Sequence, residues 1–328
     1  MINKIYNSFR PESAKSSLVS KKKRVFKFFL KLAVSAGLVV WIIFKVNWSE
    51  VLIYVKELMV WQILLYASIF IIGVVISSYK WKLLAETKDI RLPLWSYFKF
   101  YLTGAFINNF MPSFIGGDTY RSYQTGKASN DRYIEAASTV LADRITGFIG
   151  AVILAVGFSI INAKTVLNNP LLIIINVLLV ASFATDIIIL GIRKLPVWPT
   201  IKKYIPGIIL RVAREIKSFD RHSSVLKKAI FWGVIFNVVG VGIENYILFY
   251  ALGIKIGLIN YCTVIFLISI VSALPISINN IGIKEWAYIT FFGIFGIGAS
   301  AVVTVAIISR FLQMIITFAA LPIYLRNK

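Results

Sequence analysis

The chain has 328 residues, of which 58% are apolar and only 15% charged, and its mean hydropathy is +0.79. That composition excludes an ordinary soluble domain. Lys and Arg number 36 against 14 Asp and Glu, a formal charge of +22; in so apolar a chain this excess points to basic cytoplasmic loops on a membrane protein and not to nucleic acid. One cysteine, Cys262, and one histidine, His222, exclude a disulfide framework, a structural zinc site and an iron–sulfur cluster, each of which needs several such ligands. No cofactor or metal is expected, and neither residue is assigned a catalytic role.

The segment from Met1 to Lys27 is polar and basic, with eight Lys or Arg against Glu12. It is expected to stay in the cytoplasm, against anionic headgroups of the cell membrane. The apolar run that follows, about Phe28 to Val46, is too long for a signal-peptide core and reads as a retained first span. Further runs of crossing length cover about Trp61 to Tyr79, Leu94 to Met111, Ile134 to Ile161, Leu171 to Ile192, Ala229 to Leu252, Leu258 to Leu274 and Ala299 to Tyr324. Each lies near the ~20 residues that cross ~30 Å of hydrocarbon. None alternates as a barrel strand would, so the expectation is an all-α, polytopic helical bundle of about eight transmembrane helices. Most tryptophans fall near segment ends, as interfacial anchors do. The longest hydrophilic stretch, Arg193 to Lys228, carries ten basic residues and is too short for a catalytic domain. Its central part, about Ile208 to Phe219, suits an amphipathic surface helix.

The apolar pattern breaks in two places. After the third run comes Asn108-Asn109-Phe110-Met111-Pro112-Ser113-Phe114-Ile115-Gly116-Gly117-Asp118, and after the seventh comes Leu274-Pro275-Ile276-Ser277-Ile278-Asn279-Asn280-Ile281-Gly282-Ile283-Lys284-Glu285. Each ends a helix at proline, turns at glycine and then presents an acid. Non-helical backbone at membrane depth is tolerated where protein buries it or water reaches it, so both read as re-entrant elements lining a cavity. Arg144 follows Asp118 by 26 residues and Arg310 follows Glu285 by 25, each inside a long apolar run. The offset between these sets is near 166 residues, about half the chain, which suggests two pseudo-repeats at about 61–162 and 229–325 within one membrane domain, 28–328.

These residues resemble a known family. The run from Pro112 to Arg121 with Gly-Gly-Asp, the pair Asp143-Arg144 with Gly147, and the set Pro275, Gly282, Glu285 and Arg310 look like the flippase-like membrane domain of lysylphosphatidylglycerol synthases. The likeness covers about Lys27 to Leu325. It implies movement of a charged lipid between leaflets, and the absence of a soluble aminoacyl-transferring domain argues against lysyl-lipid synthesis by this chain alone.

The candidate substrate-binding residues are Gly116, Gly117, Asp118, Arg121, Asp143, Arg144, Glu285 and Arg310. A guanidinium stays charged and binds phosphate through a planar fork, so Arg144 and Arg310 are natural phosphate partners. The acids can balance those arginines, receive a cationic headgroup or take a proton. The bland alternative is a set of buried ion pairs holding helices together. Asp143 and Arg144 are adjacent and point about 100° apart, so they serve different neighbours. Arg121 stands three residues after Asp118, within pairing reach on a helix or free for a headgroup. The Gly-Gly turn either offers N–H groups to phosphate or is a plain turn. Glu244 sits in the sixth run and needs a partner or a proton, which makes it a candidate for a proton path or a structural hydrogen bond.

Three function classes follow. The first is a flippase for an anionic or aminoacylated phospholipid or a polyprenyl-phosphate carrier. The others are a membrane-embedded aminoacyl or glycosyl transferase and a non-catalytic partner of a separate synthase; a homo-oligomer is compatible with each. Five simple crossings from a cytoplasmic N-terminus put the Arg193 to Lys228 loop outside, against the positive-inside rule, and a cytoplasmic loop with inverted repeats resolves the conflict.

Overall fold

The computed structural model describes residues 32–110, 115–192, 223–274 and 277–326. The basic N-terminal segment, the 193–228 loop up to residue 222 including His222, Pro112 and Pro275 lie outside them. Among the described residues every regular element is a helix. The protein is an all-α, multi-pass membrane protein.

Helix α1, Leu32–Lys45, meets α2, Trp48–Lys56, at an 82° bend. Asn47 makes the corner. Its side-chain oxygen accepts the Ser49 N–H at 3.1 Å, an N-cap, and its own N–H reaches Ser300 Oγ at 3.2 Å. Helix α3, Val60–Glu86, is 27 residues long, enough for about 40 Å of rise, which more than crosses the hydrocarbon. Helix α4, Leu94–Phe110, runs to the first break, and the chain continues as α5, Ile115–Lys127, and the 29-residue α6, Tyr133–Ile161. The short α7, Ala163–Leu167, leads into α8, Pro170–Ile192.

The second half begins with α9, Ser223–Asn237, which passes through one π-helical stretch, Val238–Ile243, into α10, Glu244–Ala251. Helix α11, Leu258–Ala273, runs to the second break. A 3₁₀ turn at Ile278–Asn280, α12 at Ile283–Gly293, α13 at Ala299–Phe318 and α14 at Leu321–Arg326 complete the chain. The order long helix, shorter helix, break, short acid-bearing helix, long arginine-bearing helix thus occurs twice, once from α3 to α6 and once from α9 to α13.

All eight expected apolar runs coincide with helices. Among the described residues, however, four helical stretches are long and apolar enough to cross outright, namely α3, α6, Ser223–Ala251 and α13, and a fifth only as the bent α1–α2 pair. Helices α4 and α11, 17 and 16 residues long, stop at the breaks. Small residues set the packing, as in other membrane bundles. A Cβ on Gly150 of α6 would lie 2.6 Å from the Gly233 carbonyl carbon of α9, and one on Gly233 would lie 2.6 Å from the Thr146 oxygen. Likewise a Cβ on Gly73 of α3 would lie 3.2 Å from the Cα of Gly240 in the π stretch. Helix α4 packs on α13 and α11 on α6, so each half contributes to the other's wall. An aromatic core of Phe249, Tyr261, Phe266, Tyr288 and Phe292 fills the second half.

Candidate functional site

The glycines after the first break do not form the tight turn expected of them. Gly116 and Gly117 lie in the first turn of α5, in helical conformation. A Cβ on Gly117 would collide with the Gly104 carbonyl of α4, and its N–H is taken by Asn108 Oδ1 at 2.8 Å. The glycine serves close packing of α4 on α5, and its N–H is not available to phosphate. The second break does turn on unusual backbone. Asn279, Asn280 and Gly282 have φ of 50°, 57° and 87°, the left-handed region that asparagine and glycine tolerate. Gly282 is also needed for space, since a Cβ there would lie 2.5 Å from Leu38 Cβ of α1.

Each break delivers its acid to the arginine expected from sequence spacing. Arg144 Nε and Nη2 both reach the Asp118 carboxylate at 3.0 Å, a two-point contact between α6 and α5. Arg310 Nη2 reaches Glu285 Oε1 at 3.3 Å, while its two terminal nitrogens also donate to the carbonyls of Asn279 and Asn280 at 3.0 and 3.3 Å. Glu285 Oε2 in turn accepts the Gly282 N–H at 2.8 Å. The arginine and the glutamate therefore hold the left-handed turn from both sides.

Behind the first pair stands a buried row. Arg121 Nη2 lies 2.7 Å from Asp143 Oδ2 and its Nη1 lies 3.5 Å from Asp118 Oδ1. Its guanidinium is flanked by Trp81 and Tyr101, with ring centres 4.1 and 4.3 Å away, and the residue is 3% exposed. Of the two placements open from sequence, the structure has the paired one, and Arg121 is not a solvated headgroup contact. Asp143 also takes Lys80, whose Nζ is 3.1 Å from Oδ1 and 2.8 Å from the Asp143 carbonyl oxygen. Gly147 leaves room for that ammonium, since a Cβ would sit 2.9 Å from Nζ. Asp143 and Arg144, adjacent on α6, serve different partners as their 100° separation requires.

A cavity of about 590 Å³ lies between the halves. Of the expected residues, Asp118, Arg144, Glu244 and Arg310 line it, whereas Arg121, Asp143 and Glu285 stand one layer behind. Glu244 is 2% exposed and accepts Gln313 Nε2 at 2.8 Å, the helix-to-helix hydrogen bond weighed for it. It follows directly on the π stretch, whose Gly242 carbonyl is satisfied by the Tyr261 hydroxyl at 2.7 Å. Lys284 also lines the cavity and donates to Ser309 Oγ at 2.8 Å. Apolar residues such as Phe70, Val74, Phe236 and Ile265 complete the wall.

Lys80, Lys284 and Gln313 were not singled out from the sequence. Each is a single polar residue in or at the end of an apolar run, where snorkelling accounts for a lysine and nothing marks a glutamine. The helical spacing of Lys284 beside Glu285 was the available signal.

No curated protein and no solved structure matches the chain. The family model described as the lysylphosphatidylglycerol synthase TM region matches residues 28–320. With the two broken elements, their acid–arginine pairs and that match over most of its length, the chain belongs to the lysylphosphatidylglycerol synthase TM region family.

Proposed function

We propose that this protein moves a phospholipid or a polyprenyl-phosphate-linked lipid between membrane leaflets. Arg144 and Arg310 bind the phosphate, Asp118 and Glu285 hold those arginines in place when the site is empty, and Arg121 with Asp143 backs Asp118. Gly116 and Gly117 let α5 approach α4 closely enough to bring Asp118 forward, and Glu244 adds a polar step on the path between the two arginines. The observation that carries the reading is the cavity between the halves, with an acid-paired arginine from each half on its wall. A headgroup cannot cross hydrocarbon without a polar path, and intramembrane charges lining a cavity supply one. Its volume falls within the ~300–1,000 Å³ of ordinary ligand sites, enough for a headgroup while the tails stay in lipid.

The test is headgroup exchange in proteoliposomes carrying fluorescent phospholipids and polyprenyl phosphates. Arg144→Ala and Arg310→Ala are each expected to slow exchange by about tenfold or more, as removal of a charged hydrogen-bond partner does, while leaving the protein folded. Unchanged exchange of every lipid in both variants overturns the reading and favours a lipid-modifying transferase or a synthase partner, which act without moving lipid between leaflets.

A further inference from the structure

Five charged side chains of the first half form one contiguous row. Arg144 contacts Asp118, Asp118 contacts Arg121, Arg121 contacts Asp143, and Asp143 contacts Lys80. The signs alternate, and the row begins and ends on a cation. Three cations face two acids, so it carries one uncompensated positive charge. Lys80, Arg121 and Asp143 are each at most 3% exposed, which closes the inner end. Arg144 is 48% exposed at its side chain and lines the cavity, and its Nη1 has no protein partner among the described residues. The second half is balanced by comparison. Arg310 is matched by Glu285, and the cavity wall carries beside it one further cation, Lys284, and one further acid, Glu244.

A buried charge left without a counter-ion is costly, and an excess of one positive charge in a largely apolar cavity calls for one negative charge. We infer that the cavity takes a lipid whose headgroup bears a single net negative charge on a phosphodiester, seated at Arg144 as the missing last member of the row. This rests on the transport reading for its site and narrows the substrate to monoanionic lipids, against zwitterionic and aminoacylated ones. A lysyl-modified headgroup, with two ammonium groups to one phosphate, would add a further positive charge and meet no spare acid in the row, since both of its acids are already shared between two cations.

The row also predicts which substitutions are tolerated. Arg144→Gln leaves two cations and two acids, a balanced row. Asp118→Asn leaves three cations and one acid, and raises the excess beside Arg144.

The test is equilibrium binding to the purified full-length protein in nanodiscs, read separately from exchange. The probes are short-chain fluorescent phosphatidylglycerol, phosphatidylcholine and lysyl-phosphatidylglycerol, with inorganic phosphate as competitor. Phosphatidylglycerol is expected to bind about tenfold more tightly than the other two, the size of one charge-assisted contact. Arg144→Gln should erase that preference without lowering thermal stability, and Asp118→Asn should strengthen binding of phosphatidylglycerol. Equal or tighter binding of lysyl-phosphatidylglycerol, a preference that survives Arg144→Gln, or weakened binding in Asp118→Asn overturns the inference. Inorganic phosphate displacing the lipid at equal concentration also overturns it, because the site would then serve a free anion. Selective binding without exchange overturns transport and leaves this inference standing; exchange without charge selectivity does the reverse.

Discussion

Adjacent residues on α6 divide the labour of the first half. Asp143 is 2% exposed and neutralises both Lys80 and Arg121, whereas Arg144, next in the chain, faces the cavity and holds only Asp118. Removing one partner of a buried ion pair leaves its mates uncompensated, at a cost of about 3–5 kcal/mol, while an accessible pair contributes about 1 kcal/mol or less. Asp143→Asn is therefore expected to lower the thermal stability of the detergent-solubilised protein steeply, and Arg144→Gln to leave it nearly unchanged. Equal losses in the two variants would show that the row is not divided into a buried anchor and an accessible end. The spacing of Asp118 to Arg144 and of Glu285 to Arg310 was legible in the sequence because an acid after a helix break and an arginine within an apolar run are both rare. Lys80 was not, since its position near a run's end has an innocuous explanation in snorkelling, and only the fold reveals that Asp143 lies beside it.

Among elements, the two breaks differ in how they reach the same outcome. The first brings Asp118 forward on the N-terminal turn of a helix packed against α4 through Gly104 and Gly117; the second relies on three positive-φ residues, Asn279, Asn280 and Gly282, braced by Arg310 and Glu285. Glutamine at position 285 can still accept the Gly282 N–H, so Glu285→Gln is expected to cost about 1–2 kcal/mol, the worth of one charged contact. Gly282→Ala must adopt a φ that favours glycine and also displace Leu38 of α1, so its loss should be larger. Thermal unfolding of the two variants side by side checks the order, and the reverse order would mean that the turn is held by the ion pair alone. The eight helical runs followed from hydropathy alone. The π stretch did not, because Val-Val-Gly-Val-Gly-Ile contains no turn signal and its widened geometry depends on tertiary partners, Gly73 on one side and the Tyr261 hydroxyl on the other. Helix α5 was likewise hidden, as its polar composition reads as loop until α4 and α6 enclose it.

At the scale of the molecule, the cavity exists because each half lends helices to the other. Asn109 of α4 donates to Thr317 of α13 at 2.8 Å, one of the contacts that join the halves. Asn109→Cys with Thr317→Cys, in a Cys262→Ser background and bridged by a short thiol cross-linker, is expected to stop lipid exchange and to leave headgroup binding intact, with exchange restored on cleavage of the linker. Exchange that continues in the bridged protein would show that α4 and α13 need not separate. The glycine crossing of α3 with the π stretch has a mechanical consequence. Gly73 and Gly240 stand the same distance apart in the chain as Asp118 and Glu285, and their backbones approach closely beside the ring of Phe236. A Cβ on Gly73 would have to push α3 and the π stretch apart, so the pair sets how closely these two parts of the cavity wall approach.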